Sequence, residues 1–168
     1  MARHFRAKHS QVVIKPVRYG LVTDEDPPQV AWTSILTDEV LQHWDGSPVL
    51  LQQLIRAREH LRIVTVGDDV WACSLVAKEL DWREQLENHS AFRAVDRDAY
   101  ATVLSLSRKI ADELRLGYTA QDWIIDEQGK PWFLEANPNG QWLFLDEQLE
   151  GGITGSIARH LEESAGSA

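Results

Sequence analysis

The sequence predicts an α+β fold with a largely antiparallel sheet. Strand-like segments outnumber helix-like ones, and the strongest of them flank short turns, which join antiparallel rather than parallel neighbours. The length agrees with this class, because 168 residues, 43% of them hydrophobic, suffice for one medium domain or two small lobes.

The first third of the chain alternates short strands with turns. Its first strand ends at Pro16, which cannot donate a hydrogen bond to a ladder. The predicted elements are, in order, a strand at 11–17, a turn at 18–20, a Pro-rich acidic loop at 23–28, a return strand at 29–35, and a short helix from Thr37 or Asp38 to Trp44.

The middle of the chain predicts further strands. Residues 49–55 form a continuous apolar run that carries Gln52 and Gln53, a pattern typical of a strand buried on both faces. The segments 60–66 and 70–76 flank a Gly-Asp turn and predict a hairpin, followed by a short strand at 91–95.

One long helix stands out from Asp96 to Leu116. Its apolar residues recur at helical spacing, and Gly117 is placed to close its end. A second helical pattern runs through Ile153, Ile157 and Leu161, after which residues 162–168 are small and polar and predict a disordered tail.

The clearest hairpin of the sequence joins two strong strand signals, Tyr118–Ile125 and Pro131–Asn137. If its turn centres between Gln128 and Gly129, Asp122 lies directly opposite Glu135. Because side chains alternate between the two faces of a strand, Asn137 and Phe133 are predicted on the face of Glu135. One face of the hairpin therefore concentrates two carboxylates and an amide oxygen.

Like charges opposite each other destabilise a ladder unless something compensates them, and no basic residue occupies the flanking positions 120 and 124. A divalent cation would compensate them, and oxygen ligands suit Mg²⁺ or Mn²⁺. The hairpin alone leaves two alternatives to a bound cation open. The face could be an exposed acidic sheet edge, or one of the two carboxylates could have a raised pKa.

The charge and the cysteine content exclude several classes of protein. With 17 basic and 26 acidic residues the formal net charge is -9, which argues against a nucleic-acid or anionic-membrane surface. Cys73 is the single cysteine, so neither an internal disulfide nor a cysteine-based metal cluster can form, and a cytoplasmic protein is expected. No apolar stretch approaches the length of a membrane span.

The spacing of Asp122, Glu135 and Asn137, within the context Phe133–Gly140, resembles the magnesium-binding end of ATP-grasp ligases. The segment Asn137–Trp142 is most similar to the graspetide or microviridin-type branch, which matures ribosomal peptides and is related to the ribosomal-protein glutamate ligases. The resemblance covers about residues 11–147 and implies ATP and Mg²⁺, or Mn²⁺, as cofactors, with the three oxygen-bearing residues as metal ligands.

The resemblance also assigns nucleotide-binding residues. Residues 12–16 resemble the strand whose lysine, here Lys15, reaches the phosphates, and 50–55 resemble the hinge strand that binds adenine through its backbone. The implied hinge positions are Gln52, Gln53, Leu54 and Ile55. Glu59 falls where many members hold the ribose. Lys15 could instead protect a sheet edge, and Glu59 could pair with Arg56 or Arg58.

Arg62 and Arg83 are the predicted catalytic arginines, since a guanidinium can make forked contacts to a phosphate or to a carboxylate being activated. Arg18 is a weaker third candidate. For each of them a solvated or salt-bridged surface position is the competing interpretation.

The implied reaction is an ATP-dependent ligation of a carboxylate to an amine or hydroxyl through an acyl phosphate, with a precursor peptide as partner and side-chain amides or esters as products. The expected organisation is a disordered or partial lead-in at 1–10, a partial first lobe at 11–55, a second lobe at 56–161 and a disordered tail at 162–168, without the N-terminal domain of the family. A nucleotide-binding or interaction module without ligase activity, and a small enzyme acting on a small carboxylic acid, are the alternatives. The sequence leaves open whether the chain is active alone and whether it forms a homo-oligomer.

Overall fold

The computed structural model describes residues 2–17, 20–22, 29–44 and 46–166. Arg18 and the loop predicted at 23–28 lie outside these residues. Within them the fold is α+β with antiparallel sheets, which confirms the predicted class. The chain divides into two compact units, the first made of Met1–Ile55 with Glu79–Glu84 and the second of Arg56–Lys78 with Gln85–Ala168.

The first unit contains a three-stranded antiparallel sheet of order β4-β1-β5 and a two-stranded ladder of β2 with β3. Its elements are α1 (Ala2–Lys8), β1 (Val12–Pro16), β2 (Gly20–Val22), β3 (Gln29–Ala31), β4 (Ser34–Ile35), α2 (Asp38–His43), β5 (Val49–Gln53) and a 3₁₀ turn (Trp82–Glu84). The single return strand predicted at 29–35 is therefore two short strands with different partners, and the predicted lead-in contains a helix.

Two local features of this unit follow from its sequence. Thr37 caps α2, because its hydroxyl accepts a hydrogen bond from the Val40 N–H, as a helix N-terminus requires. Strand β5 lies at the edge of the described sheet, with β1 as its partner, and Leu50 is 48% exposed. The expectation of a strand buried on both faces is wrong, because an apolar run alone does not reveal whether a strand is central or marginal.

The second unit is built around a five-stranded antiparallel sheet of order β10-β9-β6-β7-β8. Its elements are β6 (Ala57–Val66), β7 (Asp69–Leu75), α3 (Glu87–Ala91), β8 (Arg93–Ala94), α4 (Ala101–Glu113), β9 (Tyr118–Asp126), β10 (Pro131–Asn137), α5 (Leu143–Asp146), a 3₁₀ turn (Glu147–Leu149) and α6 (Gly152–Gly166). Both predicted hairpins, β6–β7 and β9–β10, are present.

Helix α4 packs on one face of this sheet and forms the core of the second unit. The buried residues of that core are Leu61, Ile63, Ala72, Val103, Leu104, Trp123 and Ile125. Arg62 and Asp122, which neighbour core residues along their strands, therefore point to the opposite face, where the functional residues can lie. Cys73 is buried, and burial raises the pKa of its thiol to about 12.

The ends of two helices differ from expectation. Helix α4 ends in a Schellman motif in which Arg115, with φ of 54°, takes the left-handed position predicted for Gly117. Gly117 serves close packing instead, since a Cβ there would lie 2.6 Å from Nε2 of His160. Helix α6 continues to Gly166 rather than ending near Leu161. No helix within the described ranges combines the length and apolarity needed to cross a bilayer.

Candidate functional site

Asp122 and Glu135 are directly paired across strands β9 and β10, as the hairpin predicts. The register is uniform from this pair to the end of β10, so Asn137 follows on the same face two residues later. The turn does not produce this pairing by itself. Beside the turn the ladder runs one position out of the predicted register, with Phe133 opposite Trp123, and a register shift before Glu135 brings Asp122 and Glu135 opposite each other.

The hairpin contains an irregularity that the sequence pattern does not predict. The register shifts between Phe133 and Glu135, so that Phe133 pairs with Trp123 instead of sharing a face with Glu135. The two rings make an edge-to-face contact with centroids 5.2 Å apart on the helix-covered side of the sheet. The prediction that Phe133 lies beside the carboxylates is therefore wrong, because an extra residue in one strand reverses its facing.

A basic residue does compensate Asp122, and it comes from the next strand of the sheet. Arg62 of β6 is the register partner of Asp122, and its Nη1 donates to Oδ1 at 2.9 Å. Both side chains are buried, with 7% and 12% exposed. The compensating charge lies outside the two strands of the hairpin and is brought to Asp122 by the strand order, which places β6 beside β9.

The segment after Asn137 folds back over the sheet and is held there by two strand side chains. Arg62 Nη2 donates to the carbonyl of Gln141 at 2.8 Å, and the Tyr118 hydroxyl donates to the carbonyl of Gly140 at 2.5 Å. Burial raises the pKa of Tyr118 to about 12, against the opposing influence of the Arg62 charge. At all ordinary pH values Tyr118 therefore keeps the proton that it donates.

Glycine is required at position 140 because the turn leaves no room for a side chain. A Cβ built on Gly140 would lie 2.6 Å from the Cβ of Ala120 and 2.8 Å from Arg62 Nη2. Asn137 shapes the same turn, since its Oδ1 accepts from the N–H of Asn139 at 2.8 Å. The loop is thus closely packed on the strand that carries Asp122.

The chemistry of the donor set fits a hard divalent cation. Oδ2 of Asp122 has no hydrogen-bond partner among the described residues, Glu135 is exposed, and Asn137 offers an amide oxygen beside them. Across the described part of the chain no three His, Cys, Asp or Glu side chains are grouped to hold a metal. An amide oxygen such as that of Asn137 is also a suitable ligand for a hard cation. Nε of Arg62 is buried and has no hydrogen-bond partner among the described residues.

Glu59 lies on the other face of the same sheet. It pairs in register with Ile125 of the core, and its carboxylate accepts from Arg58 at 2.9 Å and from the Tyr100 hydroxyl at 2.7 Å. Burial and this hydrogen bond to Glu59 raise the pKa of Tyr100 to about 12. The pairing with Arg58 was the alternative to a ribose-binding role.

The predicted phosphate and hinge residues belong to the first unit. Lys15 lies on β1 opposite Leu50 of β5. The N–H of Leu54 donates to the carbonyl of Gln11 at 3.0 Å, so hydrogen-bonded pairs alternate from there along the ladder. Gln53 falls on a non-hydrogen-bonded pair, and its backbone groups point to the open edge of the described sheet.

Arg83 is held in an ion pair within the first unit. Its Nε and Nη2 each donate to Asp81 at 2.7 Å, and Asp81 also accepts from the Thr33 hydroxyl at 3.0 Å. Burial of Asp81 raises its pKa, but Arg83 and Thr33 outweigh that effect and hold the pKa below its ordinary value. The forked contact foreseen for Arg83 is therefore made to a carboxylate of this chain.

The structure thus groups Asp122, Glu135, Asn137 and Arg62 on one face of the second unit. Sequence reasoning missed the supporting role of Tyr118, whose only signal was its position at the start of β9. It also missed that Asp81 engages Arg83, although their two-residue spacing offered a signal.

Three solved structures resemble this chain closely in fold. A RiPP-associated ATP-grasp ligase from Chryseobacterium gregarium, in complex with ADP and a leader and core peptide, has a TM-score of 0.82 and 25% identity over 97% of this chain and 51% of its own. The macrocyclase MdnC of Microcystis aeruginosa MRC, bound with the precursor peptide MdnA, has a TM-score of 0.77 and 24% identity over 96% and 52%. The ATP-grasp ligase PsnB with a minimal precursor has a TM-score of 0.70 and 22% identity over 95% and 51%.

No protein-family model and no curated protein matches the chain. The structural comparison defines its class of fold all the same: the chain has the fold of the ATP-grasp ligases. The three neighbours described above were each solved in complex with a precursor or with a leader and core peptide. The chain spans about half the length of these neighbours.

Proposed function

We propose that this chain is the ATP- and magnesium-binding part of a ligase that joins a carboxylate of a precursor peptide to an amine or hydroxyl of the same peptide, acting in the cytoplasm. The observation that carries the proposal is the pairing of Asp122 with Glu135, followed by Asn137, within an ATP-grasp fold. The peptide complexes of the structural neighbours support the class of substrate.

Asp122, Glu135 and Asn137 would hold Mg²⁺, or Mn²⁺ in its place, through oxygen atoms alone. When bound, the ion neutralises negative charge on the polyphosphate of the nucleotide. Arg62 fixes the orientation of Asp122 by its hydrogen bond to Oδ1, so that Oδ2 remains as the ligand atom.

Lys15 binds the phosphates of ATP in this proposal. It is a flexible cation on a strand whose alternation takes it away from its apolar neighbours. The adenine is recognised by the backbone of Gln53 at the open edge of β5. The N–H of Leu54 is not available for this contact, because it already donates a hydrogen bond to the carbonyl of Gln11. Gln52 and Ile55 stay predicted neighbours of this contact, and Glu59 stays a predicted ribose ligand that would first have to leave Tyr100.

The reaction balances without a redox partner. The γ-phosphoryl group passes from ATP to a carboxylate oxygen of the peptide and leaves ADP. The amine or hydroxyl then attacks the acyl carbon, loses its proton, and releases inorganic phosphate. Arg62 is the candidate to stabilise the charge at the transferred group, because its guanidinium lies beside Asp122, whereas Arg83 acts as a positioning residue through Asp81.

Nucleotide binding is tested first, by calorimetric titration of the full chain with ATP and Mg²⁺. Lys15→Ala and Asp122→Ala should each weaken binding at least about tenfold, because each removes a charge that faces the nucleotide or its ion. Lys109→Ala, an exposed position on α4, is the matched control and should bind as the parent chain does. Equal affinity in all four proteins would place the nucleotide elsewhere.

Ligation is tested separately, with ATP and a precursor peptide encoded near the gene. A competent protein should lower the mass of the peptide by one water molecule for every bond formed. ATP binding without any mass change would favour the alternative, a nucleotide-binding module that has no ligase activity, over a ligase that acts alone.

A further inference from the structure

A groove of about 750 Å³ opens along the segment that follows Asn137. Its wall consists of six consecutive residues, Asn139 to Phe144, and His89 of α3 faces them. This volume lies within the range of ligand sites and would hold several residues of an extended peptide. Because the wall starts two residues after a predicted metal ligand, the groove adjoins the candidate site.

The wall of the groove is formed before any ligand arrives. The carbonyls of Gly140 and Gln141 are held from the sheet by Tyr118 and Arg62, and the absence of a Cβ at Gly140 lets the turn pack against β9. A preformed wall loses little conformational entropy on binding, which favours affinity for an otherwise weak contact.

The far part of the wall is aromatic and apolar. The ring of Phe144 makes edge contacts with His89 and Phe92, at centroid distances of 5.0 and 5.6 Å. Leu143 is 72% exposed at this wall, beside Trp142 and Phe144, so its side chain is free to contact a ligand in the groove. Trp142 adds further apolar area to the lining.

The charge of the lining distinguishes this groove from the rest of the surface. Of the 168 residues 26 are acidic, yet none of the seven lining residues is Asp, Glu, Lys or Arg. A peptide that carries reactive carboxylates would be repelled by most of an acidic protein, and a lining without acidic groups removes that repulsion. The side-chain amides of Asn139 and Gln141 can bind the backbone of such a peptide.

We propose that this groove binds the uncharged, apolar stretch of the peptide substrate next to its reacting carboxylate. Leu143 and Trp142 contact its apolar side chains, and Asn139 and Gln141 bind its backbone. The proposal rests on the proposed function and adds to it the chemical class of the residues that flank the reacting carboxylate.

The test is a nuclear magnetic resonance titration of the full chain with two synthetic peptides, acetyl-Gly-Leu-Glu-Leu-Gly-amide and the same peptide with Ser in place of both Leu. The amides of residues 139–144 and the indole N–H of Trp142 should shift with the leucine peptide, and at least about fivefold more weakly with the serine peptide. The Leu143→Ser variant should bind the leucine peptide more weakly by a similar factor. Leu161→Ser, at a 63% exposed leucine of α6, is the control that should not.

Three results would overturn the proposal. In the first, the peptides shift resonances of residues outside the groove. In the second, the leucine and serine peptides bind with equal strength. In the third, the groove resonances change only with protein concentration, which would indicate an interface between copies of the chain. A parallel titration with ATP and Mg²⁺ separates the two hypotheses. Peptide binding without nucleotide binding would overturn the proposed function alone, and nucleotide binding without peptide shifts would overturn the groove assignment alone.

Discussion

Arg62 and Asp122 form an ion pair with little access to water, and Arg62 also anchors the loop at Gln141. Removing one member of such a pair leaves an uncompensated buried charge, whereas removing both does not. The pair therefore links the fold of the second unit to the geometry of its candidate metal ligands.

Arg62→Ala should lower the free energy of unfolding by about 3 kcal/mol or more, and Asp122→Ala by a comparable amount. The double variant should lose clearly less than the sum of the two, because it leaves no charge unpaired. Urea denaturation of the three variants and the parent chain measures this coupling. Strictly additive losses would mean that the two side chains do not interact in solution.

Gly140 should not tolerate a side chain. Gly140→Ala has to displace Ala120 or Arg62, and we expect it to destabilise the chain by about 1–3 kcal/mol and to weaken ATP binding in the presence of Mg²⁺. Gly155→Ala is the matched control within α6, where a Cβ would meet nothing nearer than 3.7 Å and should be neutral or stabilising. Chemical denaturation and calorimetry of both variants decide the point. Similar behaviour of the two would contradict the steric argument.

The β9–β10 hairpin is held at its turn by Asp126. Oδ2 accepts from the indole of Trp132 at 2.8 Å, and Oδ1 accepts from the N–H groups of Gln128 and Lys130. The Trp132 hydrogen bond is the main reason why the pKa of Asp126 lies below its ordinary value, although burial opposes it. This turn fixes the register of the first pairs of the ladder, from Pro131 with Ile125 to Phe133 with Trp123, and the shift that follows brings Asp122 opposite Glu135.

A lowered pKa gives a defined pH dependence. The charge of Asp126 stabilises the fold fully above the pKa of the unfolded chain, about 3.9, and this contribution is lost as the pH falls through the lowered folded value. Asp126→Asn should therefore lower Tm at pH 7, and the difference from the parent chain should shrink at about pH 2. Glu127→Gln, at an exposed carboxylate of the same turn, is the control. A Tm difference that stays constant with pH would contradict this role.

For the whole chain, nucleotide binding should appear as thermal stabilisation. A ligand that binds only the folded state adds about 2.7 kcal/mol of stability at a hundred times its Kd. ATP with Mg²⁺ should raise Tm, while removal of the metal with EDTA should abolish most of the shift, and AMP should give little because it lacks the β- and γ-phosphates. An equal shift with and without EDTA would separate nucleotide binding from Asp122, Glu135 and Asn137.

Much of the fold was predictable because its signals are local. Alternating apolar residues around Gly-Asp and Gln-Gly turns predict the two hairpins of the second unit, and both are present. Where a residue depends on distant neighbours, the prediction failed. The exposure of Leu50 depends on β5 having β1 as its described partner, and the left-handed Arg115 depends on how α4 ends against the sheet.

The candidate site divides in the same way. The sequence by itself determined that Asp122 and Glu135 lie on neighbouring strands of one hairpin, with Asn137 two residues beyond Glu135 on the same face, because turn position and side-chain alternation are properties of a continuous segment. Their direct pairing also needs the register shift between Phe133 and Glu135. Only the tertiary structure decided that Arg62 neutralises Asp122, that Arg83 is engaged by Asp81 and that Glu59 faces the core. These contacts depend on strand order and on packing between segments far apart along the chain, which no local pattern encodes.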